Sequence, residues 1–142
     1  RPEVQVTNPA SAAIAALRSL GVGRVSILTP YIEELNREVL GYFEAQGLEV
    51  LKLVGLGFDD DVEITGIAAD DLVRIACEST HEDAEALFLS CTALRTADVV
   101  EQLEAELGIP VVSSNIALAW HCAVLAGSER GLHGPGRLLQ PG

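Results

Sequence analysis

The residues best suited to chemistry in this 142-residue chain are Cys91, flanked by Ser90 and Thr92, and Tyr31, which follows Thr29 and Pro30. Cys91 comes directly after the apolar run Ala86-Leu-Phe-Leu-Ser90 and shortly before a stretch of helical spacing that starts at Leu94. A thiol placed between a buried strand and a helix start meets backbone N–H groups, here those of residues 92–94, and the positive end of the helix dipole. Those conditions favour the thiolate, the nucleophilic and basic form. Thr92 adds a hydrogen bond or a cap. The competing account of Cys91 is a small buried hydrophobe. Tyr31 stands at the end of another strand, where a phenol donates to a carboxylate or enolate oxygen, or packs over its loop.

Other candidates point away from chemistry. Cys77 and Cys122 lie mid-helix and are expected to pack in the core; the spacing of the three cysteines is neither a zinc ribbon nor a redox pair. His121 lies within a helix and reads as structural, with general base as the alternative. His81 and His133 fall in polar or glycine-rich turns and are expected to be solvated. Asp59, Asp60 and Asp61 are adjacent, so their carboxylates point in different directions, and no histidine is near them in sequence. A solvated loop is expected there, and no metal.

The elements that must position these groups repeat as apolar run, loop and amphipathic helix. Strands are predicted over residues 24–29, 48–54, 86–90 and 109–113. Helices are predicted over 9–20, 32–46, 69–79, 94–107 and 116–126, with Asn8 capping the first and Pro9 at its first position. Strands that alternate with helices and are apolar on both faces make a parallel sheet covered on both sides. The expected fold is therefore α/β, a three-layer α/β/α sandwich around a four-stranded parallel sheet. Ligands of such sheets bind beyond the carboxyl ends of the strands. The four loops at that edge begin at residues 29, 55, 90 and 113, and all carry hydroxyl, thiol, amide or carboxylate groups. The opposite edge carries almost none.

Composition narrows the partners. The formal net charge is −12, with nine lysines and arginines spread along the chain. That excludes the clustered cations needed for nucleic acid and disfavours an anionic membrane surface. The longest apolar stretch is too short to span a bilayer. Reduced thiols and a cytoplasmic location are the expectation. Residues 1–7 read as a linker, so the chain is expected to be part of something longer, with 8–126 as the parallel domain and 127–142 as a Gly/Pro-rich tail with little core to offer.

Val25 to Tyr31 with Asn36 downstream, Leu87 to Leu94 (Leu-Phe-Leu-Ser-Cys-Thr-Ala-Leu) and Pro110 to Asn115 together resemble the aspartate/glutamate racemase superfamily. The similar branch holds maleate cis–trans isomerase, arylmalonate decarboxylase and the ectoine-utilisation proteins, and the likeness runs from about Val6 to Leu139. It implies one half, the C-terminal one, of a pseudo-symmetric two-domain enzyme whose chemistry uses one or two cysteines and no metal or organic cofactor. Cys91 matches the cysteine of the second half, Tyr31 a tyrosine that binds substrate carboxylate, and Thr92 a neighbour in the oxyanion-binding turn; Thr29 lies in the same substrate-binding block. Asp61 stands where maleate isomerases carry an asparagine. A carboxylate there repels a dicarboxylate and welcomes an ammonium group.

The expectation is thus half of a cofactor-independent racemase, isomerase or decarboxylase acting on a small carboxylate or amino acid through Cys91. Its partners would be the missing N-terminal half or a second chain, in a homo-oligomer. The rival is a non-catalytic carboxylate-binding or regulatory module on the same fold. A receiver-like signalling domain fits less well, because its acceptor aspartate would stand where this chain has Ser90 and Cys91.

Overall fold

The Asn8 side chain accepts the Ser11 N–H at 2.9 Å, with Pro9 just inside the helix it opens, so the predicted first cap is formed. The computed structural model describes residues 3–128, 130 and 132–140. Along them run α1 (Pro9–Ser19), β1 (Arg24–Thr29), α2 (Glu33–Ala45), β2 (Glu49–Gly55) and α3 (Asp61–Thr65). Then come α4 (Ala69–Ser79), β3 (Ala86–Leu89), α5 (Val100–Leu107), β4 (Val111–Ser113), α6 (Ser114–Leu125) and a closing 3-10 turn (Arg137–Leu139).

The strands pair in the order β2-β1-β3-β4, every neighbour parallel. The two central strands are deeply buried. Val25, Ile27, Leu28, Ala86, Leu87 and Leu89 are fully buried, as expected of strands covered on both faces. On the helical layers, α1 packs along α6 and reaches β4, α2 lies on β2, and α4 packs against α5 beneath β1 and β4. The α/β/α architecture is as the sequence predicts. Because the chain passes from β1 to β2 on one side and then to β3 on the other, the switch point lies between β1 and β3. That is where such sheets open a crevice at their carboxyl edge.

Four expectations need correcting. The helix after Cys91 begins at Val100 rather than near Leu94. Leu94, Thr96 and Val99 are all buried, and the chain meets that spacing with turns in which Thr96 O accepts the N–H groups of Val99 and Val100. The loop after β2 is not wholly irregular: Asp60 accepts the Val62 N–H at 2.7 Å and starts the short α3. Cys122 is exposed on α6 and not in the core; Cys77 is only partly buried. The C-terminal stretch does contribute to the core, through Leu138 and Leu139.

That last contact depends on a buried charge. The Glu104 carboxylate on α5 accepts the Val111 N–H at 2.9 Å and the Arg137 N–H at 3.0 and 3.1 Å. The Arg137 guanidinium in turn donates to Gly108 O at 3.1 Å, at the left-handed residue that ends α5. A single acidic side chain therefore joins α5, the start of β4 and the closing turn. Among the described residues, no helix is long and apolar enough to cross a membrane.

Candidate active site

The carboxyl edge of β1 and β3 opens into a cleft of about 360 Å³. Its floor is apolar: the Phe88 ring of β3 packs tilted against Phe43 of α2 with ring centroids 5.1 Å apart, and Val39, Pro9 and Ala10 lie around them. Tyr31, Tyr42, Ser90, Cys91, Thr92 and Ser114 supply its polar groups, and among the described residues Glu38 is the one charged residue lining it.

Cys91 is buried, 8 % exposed, and its backbone adopts φ 108°, the single positive φ among the described non-glycine residues. An L residue reaches that region only against steric resistance, so neighbouring contacts must hold it there. Its N–H donates to Ser114 Oγ at 3.1 Å, and its Sγ accepts the Ala93 N–H at 3.4 Å. Thr92 O, one residue on, accepts from Asn115 Nδ2 at 3.0 Å. One amide of the predicted 92–94 set therefore does reach the sulfur. The helix end at the site, however, belongs to α6 and not to the helix that follows Cys91 in sequence. Ser113 caps α6 by accepting the Ile116 N–H at 3.2 Å, and no acidic side chain occupies its first turn. The positive end of that helix, which carries no acidic residue of its own, borders the cleft through Ser114.

Tyr31 is positioned by the turn that ends β1. Its N–H donates to Thr29 Oγ1 at 3.2 Å, and its carbonyl accepts from Asn36 Nδ2 at 3.1 Å. Thr29 Oγ1 also donates to Asn36 Oδ1. Thr29 is fully buried and its hydroxyl is engaged twice, so it lies beneath the cleft wall rather than on it. Burial is the main cause that pushes the Tyr31 phenol up to about 12; a hydrogen bond with Ser90 opposes it, and Cys91 and then Asp61 reinforce it. Tyr31 therefore remains a neutral donor across the physiological range. Asp61 opens α3 on the rim, exposed, close enough for its charge to be felt at Tyr31 but outside the cleft lining.

The structure thus brings Cys91, Tyr31 and Thr92 into one cleft, sets Thr29 behind them and leaves Asp61 at the edge. Cys77, His121 and Cys122 are elsewhere. Cys77 Sγ donates to Glu106 at 3.4 Å, and burial followed by that carboxylate raises its thiol. His121 Nδ1 pairs with Thr7 Oγ1 at 2.7 Å. Among the described residues no group of three His, Cys, Asp or Glu side chains could hold a metal ion. Sequence reasoning missed Glu38 and Tyr42. A signal was present: they sit four residues apart on α2, each one position before the apolar pair Val39 and Phe43 that marks the buried stripe.

The chain is 34 % identical to an arylmalonate decarboxylase of Bordetella bronchiseptica, over 94 % of its own length and 57 % of the relative's. It is 31 % identical to a maleate isomerase of Nocardia farcinica, over 95 % of itself and 54 % of that protein. It spans about half the length of these curated relatives. Among solved structures, a liganded arylmalonate decarboxylase mutant superposes with a TM-score of 0.88 at 30 % identity, covering 94 % of this chain and 58 % of that one. A mutant of the Nocardia farcinica maleate cis–trans isomerase with a covalently bound succinylcysteine intermediate superposes with a TM-score of 0.86 at 31 % identity, covering 92 % and 54 %. The family model described as arylmalonate decarboxylase matches residues 2–139, almost the full chain, and the chain belongs to that family.

Proposed function

We propose that this chain forms one wall, the C-terminal half, of the active site of a cofactor-independent enzyme that reacts at the carbon beside a small carboxylate, with Cys91 as the reacting group. The observation that carries this reading is the placement of Cys91. It is held at φ 108° in a cleft at the switch point, beside the N-terminal end of α6 and a tyrosine that stays protonated. Those features serve a sulfur that must face a substrate; a core cysteine needs none of them.

The substrate carboxylate lies between the Tyr31 hydroxyl, the Thr92 backbone and the first turn of α6. These donors stabilise the charge that grows on its oxygens. In proton transfer, the Cys91 thiolate takes the proton from the adjacent carbon, and the C–H electron pair moves into the carboxylate to give an enediolate. A proton returned from the opposite wall completes a racemisation. In decarboxylation, the C–C pair stays behind as CO₂ leaves, and the Cys91 S–H supplies the proton. In cis–trans isomerisation, the sulfur adds to an alkene carbon and the π pair moves into the conjugated carboxylate as an enediolate; the resulting single bond turns, and the pair returns to re-form the alkene as the sulfur leaves with the C–S pair. All three use one site, and the remaining half supplies what separates them.

Among the described residues no lysine or arginine lines the cleft, whereas Glu38 does and Asp61 stands at its rim. This charge pattern favours a substrate with one carboxylate and an ammonium group over a dicarboxylate.

The test is cysteine alkylation read peptide by peptide, with and without a panel of small carboxylates and amino acids. Cys91 should react and be protected by a ligand, and Cys91→Ser should abolish turnover in a protein that includes both halves. An inert Cys91 in that longer protein would sink the cysteine mechanism. Full ligand affinity in Cys91→Ser with no turnover in the unmutated protein would establish a binding module instead.

A further inference from the structure

Two consecutive residues of α6 reach across to the Cys91 turn and hold it from either side. Ser114, 4 % exposed, accepts the Cys91 N–H at 3.1 Å; Asn115, whose side chain is on the exposed surface, donates to Thr92 O at 3.0 Å. Ser90 N–H is already fixed on Leu28 O at 2.9 Å as the sheet ends. The backbone groups before, at and after the sulfur are therefore each tied to a rigid element. The anchor itself is firm, since Ser113 caps α6 and Ile116 and Ala117 are buried.

We infer that Ser114 and Asn115 form a clamp that holds Cys91 at positive φ and so aims its sulfur into the cleft. Both are positioning residues acting through the backbone of the 91–92 turn. The inference rests on Cys91 being the reacting group only for its catalytic consequence; the mechanical part stands on the hydrogen bonds and the backbone angle. A buried N–H that loses its acceptor must find another, and an L residue at φ 108° relaxes to negative φ once released. That rotation swings Cβ, and the sulfur with it, away from the cleft and from the end of α6. Asn115 prevents the same relaxation from the other side by fixing the following carbonyl. An exposed asparagine at this helix position would otherwise be spent on solvent.

Two measurements on the 142-residue chain test this. The first compares Cys91→Gly with Cys91→Ala by urea unfolding, in the unmutated chain and in the Ser114→Ala background. Glycine tolerates positive φ, so with the clamp intact the glycine variant should have a folding equilibrium constant about fivefold higher than the alanine variant. With Ser114 removed, that advantage should fall below about twofold, because residue 91 is then free to relax. Equal advantages in both backgrounds overturn the clamp.

The second measurement follows iodoacetamide labelling of Cys91, with exposed Cys122 as reference in the same digest. Ser114→Ala and Asn115→Ala should each slow Cys91 about tenfold relative to Cys122, while Ser114→Thr, which keeps the hydroxyl, stays within about threefold of the unmutated chain. Unchanged or faster labelling overturns the clamp. If Ser114→Ala fails to fold, Asn115→Ala and Ser114→Thr decide the matter. Where Cys91 is inert in the unmutated chain, the glycine–alanine comparison decides the clamp, and labelling in the longer protein decides the functional reading.

Discussion

Replacing Gly55 by alanine puts a methyl group where the Asn36 amide already sits. A Cβ built on Gly55 collides with Asn36 Nδ2 and comes within 2.8 Å of Tyr31 O and 2.9 Å of Asn36 Cγ. Gly55 closes β2 in ordinary strand pairing with Thr29, so its backbone alone would accept alanine. A compatible Gly→Ala change stabilises by about 0.4–1 kcal/mol through the unfolded chain. Here the methyl must instead expel Asn36, which donates to Tyr31 O and accepts from Thr29. Two lost hydrogen bonds at about 1 kcal/mol each, plus residual overlap with the Tyr31 carbonyl, give a net destabilisation of about 2–3 kcal/mol. The cause can be isolated. Asn36→Ala loses the same bonds and removes the side-chain collision, leaving only the approach to Tyr31 O, so adding Gly55→Ala to it should cost less than about 1 kcal/mol. Urea unfolding of the two single variants and the double variant, with slopes compared for constant denatured-state exposure, measures the cycle. Additivity within about 0.5 kcal/mol would show that Gly55 and Asn36 do not share that space and would refute the account of how the Tyr31 turn is held.

Glu104→Ala should destabilise by about 2–4 kcal/mol, because the Val111 and Arg137 N–H groups lose their buried acceptor; thermal unfolding that moves by less than a degree would contradict this. The raised Tyr31 phenol gives a signed pH effect. The unfolded chain ionises near the ordinary value of 10 and the folded chain near 12, so Tyr31 contributes stability fully present below pH 10 and lost as pH climbs to about 12. Tyr31→Phe should flatten part of that loss in unfolding curves taken across the window, and an unchanged slope would remove Tyr31 from it. Glu38→Gln should raise affinity for malonate several-fold and lower it for an amino acid, as read by calorimetry; equal effects on both ligands would rule out charge selection by Glu38.

The sheet, its order of elements and the groups gathered at its carboxyl edge were legible because apolar runs, helical spacing and glycine stops report local structure directly. Helix α4 was predicted over the range it occupies, and the Asn8 cap forms as drawn. What escaped the sequence depended on tertiary partners. Leu94 to Val99 carries helical spacing, yet its buried side chains are met by turns, a choice made by packing and not by propensity. Cys122 sits on an uncharged helix and reads as core, while the face it occupies is open. The positive φ of Cys91 has no signature at all, since neither glycine nor asparagine stands there. Ser114 and Asn115 were visible as polar residues of an edge loop. Their reach to the 91–92 turn follows only from β3 and β4 lying side by side.

The order of the strands separates two kinds of change this protein can undergo. Cys91 and Tyr31 hang from β3 and β1, the strands flanked on both sides, whereas the rim around Asp61 hangs from β2 at the sheet's margin. Val62 is 79 % exposed and Asp61 lies in solvent, so substitutions there disturb little packing. Selection acting on ligand preference can therefore work at the margin at near-zero stability cost, while the sulfur we propose as the reacting group stays fixed to the most constrained part of the fold. On that proposal, one scaffold can drift between substrates without rebuilding the strand ends that carry Cys91 and Tyr31.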